Sequence, residues 1–356
     1  MNLRILNLFI LPFALAVAAE PDNAQLQQLL KRYPDADTNH DGVLTPDEAQ
    51  AYARTVKRGK AKAGAEGKQR AAIPRPPPTH ADVGYGPHER NKLDLWLAKS
   101  DRPTPLVVFI HGGGFTNGSK AGADAGMIRG CLDAGVSFMA INYRYRTGGV
   151  SLAEILRDCA RSIQFVRFHA NDYNLDPARV ASYGGSAGAG TSLWLAFHPD
   201  LADPKSSDPV LRESSRLVAA GAMNPQATYK IQEWESFLGK FDPAWGRGTE
   251  VEQAGKEPAE ESARQALNDL SMLQLASKDD PPVFLFNSQP DGPAANRGHY
   301  VHHPNHVRAL KKRCDEVGIP ATVFFAMAEP HTDGDHLAAL REFFFQQFKV
   351  GTAKPR

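Results

Sequence analysis

A short glycine-rich motif contains the residue best suited to nucleophilic chemistry. Residues 184–188 read Gly-Gly-Ser-Ala-Gly, between an apolar strand candidate at Val180–Tyr183 and an apolar helix candidate at Thr191–Phe197. A serine on a tight strand-to-helix turn projects above the sheet, and its flanking glycines are needed because larger side chains would clash there. The amino terminus of the following helix also favours developing negative charge. The spacing therefore predicts that Ser186 is a nucleophile.

A second glycine run lies upstream and complements the serine. The strand candidate Pro105–Ile110 leads into His-Gly-Gly-Gly-Phe at residues 111–115. Acyl transfer passes through a tetrahedral oxyanion, and backbone amides freed by glycine approach that oxygen where side chains would block it. We predict an oxyanion hole formed by the amides of Gly113, Gly114 and Ala187. His111 is expected to brace this loop.

Later residues are candidates for the remaining catalytic roles. A serine needs a base to accept its proton and a carboxylate to hold that base in the right tautomer. Hydrolases whose serine lies on such a strand-to-helix turn present these groups in the order Ser, Asp or Glu, His. Asp291 follows the strand candidate Pro282–Phe286 and is the predicted acid, with an Asp-Gly turn as the alternative. The last strand candidate, Ala321–Met327, is followed by His331 on a loop and His336 near the start of the closing helix. We predict His331 as the base and leave His336 open.

Other residues with metal-binding side chains have simpler interpretations. The cluster His299, His302, His303 and His306 is typical of the beginning of a helix, and a zinc site is disfavoured. One of these histidines at the mouth of the active site is the alternative. The cysteines lie in segments patterned as amphipathic helices, so buried free thiols are predicted, with one disulfide pair as the alternative. They are Cys131, Cys159 and Cys314.

A twelve-residue segment near the amino terminus has the spacing of a calcium loop. It lies between two short helical stretches and has Gly42 at the sharp turn. The oxygen donors are Asp37, Asn39, Asp41, the Val43 carbonyl, Thr45 and Glu48. Calcium takes about six to eight oxygen ligands, and this pattern fits the EF-hand at every constrained position. We predict structural Ca²⁺ binding here, with a metal-free polar turn as the alternative.

The first residues have the order of a secretory signal peptide. Arg4 precedes an apolar run, Ile5–Val17, which is too short to span a bilayer and ends in small residues. We expect cleavage after Ala18 or Ala19, export to the periplasm or extracellular space, and no stable membrane insertion afterwards. The predicted order is a signal peptide at 1–19, an EF-hand-like helix-loop-helix at 20–56 and a linker rich in Lys, Ala, Gly and Pro at 57–79.

Beyond residue 79 the chain alternates strand and helix candidates. Further strands are predicted at Leu93–Leu97, Val136–Asn142 and Leu217–Ala222, and helices at Leu152–His169, Val301–Val317 and Leu337–Phe348. The alternation predicts an α/β fold over residues 80–352, with a mostly parallel central sheet flanked by helices. The segment at about 224–280 departs from this pattern and is interpreted as an insertion. It is either a lid or substrate wall, or a helical excursion packed on the domain.

Length and charge narrow the function classes. The 356 residues suffice for one large domain plus a small appendage. With 41 basic and 40 acidic residues, the chain has no field that would attract nucleic acid or an anionic membrane. Small-molecule chemistry is therefore favoured, and no nucleic-acid partner is expected.

The motifs together resemble a known family. The runs at 111–115, 142–145, 176–180 and 185–188 are similar to the hormone-sensitive-lipase and feruloyl-esterase-like branch of the α/β-hydrolases. The resemblance covers roughly Ala81 to Gly351 and implies the α/β-hydrolase fold, esters of small acids as substrates and no organic cofactor. That family usually has Gly beside its catalytic histidine, whereas Pro330 and Thr332 flank His331 here.

These inferences combine into one predicted function. An exported serine carboxylesterase would form an acyl-enzyme on Ser186, with His331 shuttling the proton and Asp291 orienting it, before water releases the acid. The partner would be a small-molecule or carbohydrate ester, and acyl-decorated polysaccharide follows from the resemblance alone. Two alternatives remain: a non-catalytic, hydrolase-like, calcium-dependent binding protein and a serine peptidase of the same fold.

Overall fold

The computed structural model describes most of the chain beyond residue 73. The described residues are 74–242, 260–332 and 334–350, together with Leu26, Leu30, Ala36, Asp37, residues 42–46 and Glu48. The chain divides into two compact units, 1–73 and 74–356, and this division falls within the predicted linker. The predicted signal peptide lies outside the described residues. Among those that are described, no helix has the length and apolar composition needed to cross a bilayer.

A single sheet forms the centre of the second unit. Its strands are β1 (His80–Gly84), β2 (Lys92–Trp96), β3 (Thr104–Ile110), β4 (Ser137–Ile141), β5 (Leu175–Gly185), β6 (Ala219–Met223), β7 (Val283–Asn287) and β8 (Ala321–Phe325). The order across the sheet is β1-β2-β4-β3-β5-β6-β7-β8. Strand β2 is antiparallel to β1 and β4, and the other neighbours pair in parallel. The predicted mostly parallel sheet is therefore confirmed.

Helices connect the strands and cover the sheet. In the second unit they are α1 (Ala125–Asp133), α2 (Leu152–Phe168), α3 (Ala187–Phe197), α4 (Glu235–Leu238), α5 (Glu261–Asn268), α6 (Met272–Leu275), α7 (Arg297–Val301), α8 (Pro304–Val317) and α9 (His336–Phe348). Short 3-10 helices occupy Lys120–Gly122, Pro209–Arg212 and Ile231–Glu233. The described part of the predicted insertion thus contains several short helices joined by irregular segments.

Two apolar layers hold the sheet between the helices. Because successive side chains of a strand point to opposite faces, Val108 of β3 lies in one layer and Val107 in the other. The first layer includes side chains of α2, α3 and α8, and the second includes those of α1 and α9. All three cysteines are buried in these layers and free, as predicted.

Two elements differ from the sequence-based expectations. Strand β1 was not expected, because it is polar and half exposed and carries no apolar alternation. The predicted helix Val301–Val317 begins only at Pro304, as α8, and a separate short helix, α7, ends at Val301 just before it. His302 and His303 lie between the two helices. Pro304 lacks an N–H and therefore begins a new helix, and the His303 side chain caps it by accepting from the Asn305 amide. This break lies beside the candidate site.

Candidate active site

Ser186 stands at the junction of β5 and α3, in the middle of the sheet. Its backbone has φ 52° and ψ −117°, a conformation that non-glycine residues rarely adopt, and its amide donates to the Met223 carbonyl at the end of β6. A Cβ at Gly188 would lie 2.0 Å from the Ile110 carbonyl oxygen, and one at Gly184 would lie 2.3 Å from it. The strand-to-helix turn is therefore accessible only with glycine at both positions.

The triple-glycine loop that follows β3 lies directly against this turn. A Cβ at Gly112 would approach the Gly185 carbonyl oxygen to 2.5 Å and the Ser186 Cβ to 3.5 Å. Gly113 and Gly114 have φ 105° and 58°, in the left-handed region that favours glycine. Ala187 is the first residue of α3, where an amide has no intrahelical acceptor. The three predicted oxyanion donors thus lie on backbone segments at or next to the serine.

A buried histidine and tyrosine brace the loop from below. The His111 ring is 2% exposed, its Nδ1 lies 2.7 Å from the Gly112 carbonyl oxygen, and it stacks on Tyr143 at 4.1 Å between ring centroids. The Tyr143 hydroxyl donates to the His111 carbonyl at 2.8 Å. Burial lowers the pKa of His111 to about 4, so the ring is neutral near pH 7. Through these contacts His111 holds the start of the triple-glycine loop against Tyr143.

Further contacts to this loop involve Tyr145, the last residue of the run Asn-Tyr-Arg-Tyr at 142–145, which follows β4. The Arg90 guanidinium lies 3.6 Å above the Tyr145 ring, a cation–π geometry. Both side chains donate to the Gly118 carbonyl, which follows the triple-glycine loop. Hydrogen bonds therefore hold the loop both at its start, at His111 and Gly112, and after its end, at Gly118.

The imidazole that the structure brings to the serine belongs to His302. Ser186 Oγ and His302 Nε2 are 2.8 Å apart, and His302 Nδ1 lies 3.0 Å from the Gly298 carbonyl oxygen. A carbonyl only accepts, so Nδ1 must carry the ring proton and Nε2 must accept from the serine hydroxyl. This is the tautomer that a general base for serine requires.

Burial also tunes this histidine towards the neutral form. Desolvation lowers the pKa of His302, and the hydrogen bond to the Gly298 carbonyl opposes that effect only in part. A lowered pKa keeps the ring unprotonated near neutral pH, where it is able to take a proton.

The structure places the predicted acid and base in a separate cluster. Asp291 Oδ1 pairs with Arg308 Nη1 at 2.7 Å, and Oδ2 accepts the Glu329 amide at 2.7 Å. The hydrogen bond from Arg308 is the main reason that the pKa of Asp291 is lowered. The His331 amide donates to Glu329 Oε2 at 3.1 Å. None of these hydrogen bonds reaches Ser186.

His336, the other candidate base, packs against an aromatic side chain of the sheet. His336 begins α9, and its ring stacks on Phe286 of β7 with centroids 4.0 Å apart. His302 was noted only as one of four clustered histidines, with the mouth of the site as an alternative for one of them. The signal that could have singled it out is its position two residues before Pro304, which begins α8, on the connection between β7 and β8.

The insertion packs on the helices next to His302. The buried Trp234 ring lies 4.8 Å from His306 and 6.0 Å from Tyr300, between centroids. The Tyr300 hydroxyl donates to the Gly239 carbonyl at 3.0 Å. Trp245, a further aromatic residue of the insertion, lies outside the described residues. The insertion therefore supports the segment that carries the imidazole.

Part of the predicted calcium loop is described. The Gly42 amide donates to Asp37 Oδ2 at 2.8 Å, with φ 82° at Gly42, and the Thr45 hydroxyl donates to Glu48 Oε2 at 2.7 Å. Asp37 Oδ1 is buried and has no hydrogen-bond partner within the described part of the chain. Leu26, Ala36 and Leu44 form a small buried apolar cluster in the same unit. Asn39 and Asp41 lie outside the described residues.

The central parallel sheet, the strained serine after β5 and the glycine loop after β3 together define an α/β-hydrolase. Comparison with known families agrees: the chain belongs to the BD-FAE family, whose model matches residues 93–295. The matched range ends before α7, so it excludes His302.

Individual relatives share part or all of this domain. A probable carboxylic ester hydrolase of Mycobacterium tuberculosis, LipM, is 28% identical over 59% of this chain and 47% of its own length. This chain thus spans about half of that curated relative. A carbohydrate esterase from gut microbiota, solved in truncated form, superposes with a TM-score of 0.59 at 20% identity, covering 76% of this chain and 96% of that one. An acetyl ester-xyloside bifunctional hydrolase from Caldicellulosiruptor lactoaceticus superposes at 0.56 and 19% identity, covering 77% and 98%.

Proposed function

We propose that this protein is a serine carboxylesterase in which Ser186 is the nucleophile and His302 the general base. The observation that carries the proposal is the hydrogen bond of 2.8 Å between Ser186 Oγ and His302 Nε2. It joins a strained serine to an imidazole whose other nitrogen donates to the Gly298 carbonyl. Nucleophile, base and orienting acceptor thus form one continuous chain of hydrogen bonds.

In the acylation step, Oγ attacks the ester carbonyl carbon while its proton moves to His302 Nε2. The carbonyl oxygen becomes an oxyanion next to the amides of Gly113, Gly114 and Ala187, which stabilise it. Collapse of this intermediate breaks the bond to the alkoxide, which takes the proton from Nε2 and leaves as the alcohol. The acyl group remains on Ser186.

In the deacylation step, water takes the place of Ser186 as the attacking group, and Ser186 becomes the leaving group. Nε2 takes a proton from water, and the hydroxide formed attacks the acyl carbon. The same amides stabilise the second oxyanion, and Ser186 Oγ leaves with the proton held by His302. The acid is released and the serine is regenerated without any organic cofactor.

The experiment that tests this proposal removes the nucleophile. We expect Ser186→Ala to lose turnover of p-nitrophenyl acetate by about 10⁴-fold or more, with an unchanged circular dichroism spectrum. A fluorophosphonate probe should label the wild type and not the variant. Turnover retained in Ser186→Ala would overturn Ser186 as the nucleophile. A wild type that neither hydrolyses the ester nor labels would overturn the esterase proposal and favour a non-catalytic binding protein.

For the substrate, we propose esters on carbohydrates, with short acyl groups. Support comes from two structural neighbours, one a carbohydrate esterase and one an acetyl ester-xyloside bifunctional hydrolase. Acetylated xylan, feruloyl esters and p-nitrophenyl esters of increasing acyl length should be compared by kcat/KM, beside a matched peptide substrate. A higher kcat/KM on the peptide would indicate a peptidase instead.

We also propose that the mature protein is exported and binds one Ca²⁺ at residues 37–48. The buried Asp37 Oδ1, which has no hydrogen-bond partner among the described residues, fits a cation, as does the positive φ of Gly42. Asp37, Asn39, Asp41, Val43, Thr45 and Glu48 would hold the ion. Isothermal titration with Ca²⁺ should show one site that Asp37→Ala abolishes, and an absence of heat would remove this part of the proposal.

A further inference from the structure

Two backbone carbonyls at the end of α7, those of Val301 and His302, receive no hydrogen bond from α7 or α8. Helix α7 closes at Val301, and His302 follows as its cap. The last carbonyls of a helix lack intrahelical donors. The next helix begins with Pro304, which has no N–H to offer. The carbonyls of Val301 and His302 therefore need donors from elsewhere in the fold.

Two buried side-chain amides supply those donors. Asn287 Nδ2 donates to the His302 carbonyl at 2.9 Å, and Gln226 Nε2 donates to the Val301 carbonyl at 3.1 Å. Asn287 is fully buried and Gln226 is 5% exposed. The donors come from neighbouring parts of the sheet, since Asn287 ends β7 and Gln226 follows β6.

Both amides lie near the rim from which Ser186 projects, and further hydrogen bonds fix Asn287 there. The Asn287 side-chain oxygen accepts the Gln289 amide at 2.8 Å, and its main-chain carbonyl accepts the Ala326 amide beyond β8. The end of β6 is in turn joined to the serine, because the Ser186 amide donates to the Met223 carbonyl. The same strand ends thus hold the backbone of the nucleophile and the backbone of the base.

We infer that Asn287 and Gln226 are positioning residues that set the distance between His302 and Ser186. In a serine triad a carboxylate holds the base, whereas here the ring of His302 donates to a carbonyl of its own helix, at Gly298. That contact fixes the rotation of the ring but moves with the helix. The two amides join the end of the helix directly to residues at the ends of β6 and β7. This inference rests on the proposed function, since it needs His302 to be the base.

The test replaces each amide by an apolar side chain of similar size. Asn287→Leu should lower kcat for p-nitrophenyl acetate by about 10- to 100-fold, and Gln226→Met by about 3- to 10-fold, because small displacements of reacting groups have effects of this order. KM should stay within about twofold, since the substrate-facing groups are unchanged. Gln164→Met is the matched control, because Gln164 is a buried amide on α2 that also donates to main-chain carbonyls. It should lower the melting temperature by a similar amount and leave kcat unchanged.

A double-mutant cycle separates positioning from a general loss of structure. In a His302→Ala background, Asn287→Leu should cause no further loss of kcat, because the group that it positions is absent. Equal losses in both backgrounds, or a wild-type kcat in folded Asn287→Leu, would overturn the inference alone. If His302→Ala itself keeps wild-type kcat, the base assignment fails and the inference with it. If Ser186→Ala stays active, the assignment of Ser186 as the nucleophile fails.

Discussion

The nucleophile side and the base side of this site are built in different ways. Around Ser186, position comes from main-chain geometry: a strained φ, glycines in contact with the Ile110 carbonyl, and a loop braced by His111 and Tyr143. Around His302, position comes from hydrogen bonds that side chains of other elements, Gln226 and Asn287, donate to the backbone. The first kind leaves a motif in the sequence, and the second does not.

The family match follows the same division. The BD-FAE model covers residues 93–295, which include both glycine motifs and end before α7. The serine and the triple-glycine loop thus lie within the family match. His302, the proposed base, lies on the connection from β7 to β8, outside the matched residues.

The largest effect expected on the base side is that of removing the imidazole. His302→Ala should reduce kcat by about 10³- to 10⁴-fold, because the serine loses its proton acceptor. His331→Ala is the matched comparison, and it should stay within about threefold of the wild type if His302 is the base. The reverse pattern in p-nitrophenyl acetate turnover would restore His331 to the role predicted from the sequence.

On the nucleophile side, the strongest perturbation is a methyl group inside the turn. Gly188→Ala should destabilise the protein by about 1–3 kcal/mol and lower kcat by about 100-fold, because its Cβ would lie 2.0 Å from the Ile110 carbonyl oxygen. Gly122→Ala is the control, since its Cβ would meet only Phe109 at 3.8 Å. Chemical denaturation and kcat should be measured on both. Equal stability of the two variants would contradict the close approach seen here.

The pH profile tests the electrostatics of the base. Burial lowers the pKa of His302, and only the neutral ring accepts a proton from the serine. The value of kcat/KM should therefore be constant above the free-enzyme pKa and fall about tenfold per pH unit below it, with the midpoint below the ordinary histidine value of about 6.5. A midpoint at or above that value would argue against a desolvated imidazole as the base.

The smallest effect is expected at Asp291. Its ion pair with Arg308 is more than one-third exposed on both side chains, so Asp291→Asn should change stability by less than about 1 kcal/mol. Turnover should stay within about threefold of the wild type, because Asp291 hydrogen bonds to Arg308 and Glu329. A loss of about 10³-fold or more would instead support the predicted Asp291–His331 pair.

The sequence was informative where a function depends on local backbone geometry. The alternation of apolar segments predicted most of the sheet, and Gly-Gly-Ser-Ala-Gly identified a serine that the structure places on a strained turn. Strand β1 escaped because a polar edge strand has no apolar alternation to detect. His302 escaped because its contact with Ser186 joins residues 116 positions apart. The order Ser-Asp-His describes connectivity, and it does not specify which imidazole points at the hydroxyl.

The packing of Trp234 and Tyr300 has a consequence for how this enzyme class diversifies. The insertion packs on the helices on either side of His302, so if it also forms a wall of the substrate site, a change there that suits a new ester disturbs the proposed base. Changes selected for substrate range would then alter turnover on every substrate, and laboratory evolution of the insertion should recover compensating replacements in α7 and α8. Randomising 231–242 alone should yield few active clones, whereas joint libraries with 297–306 should yield more.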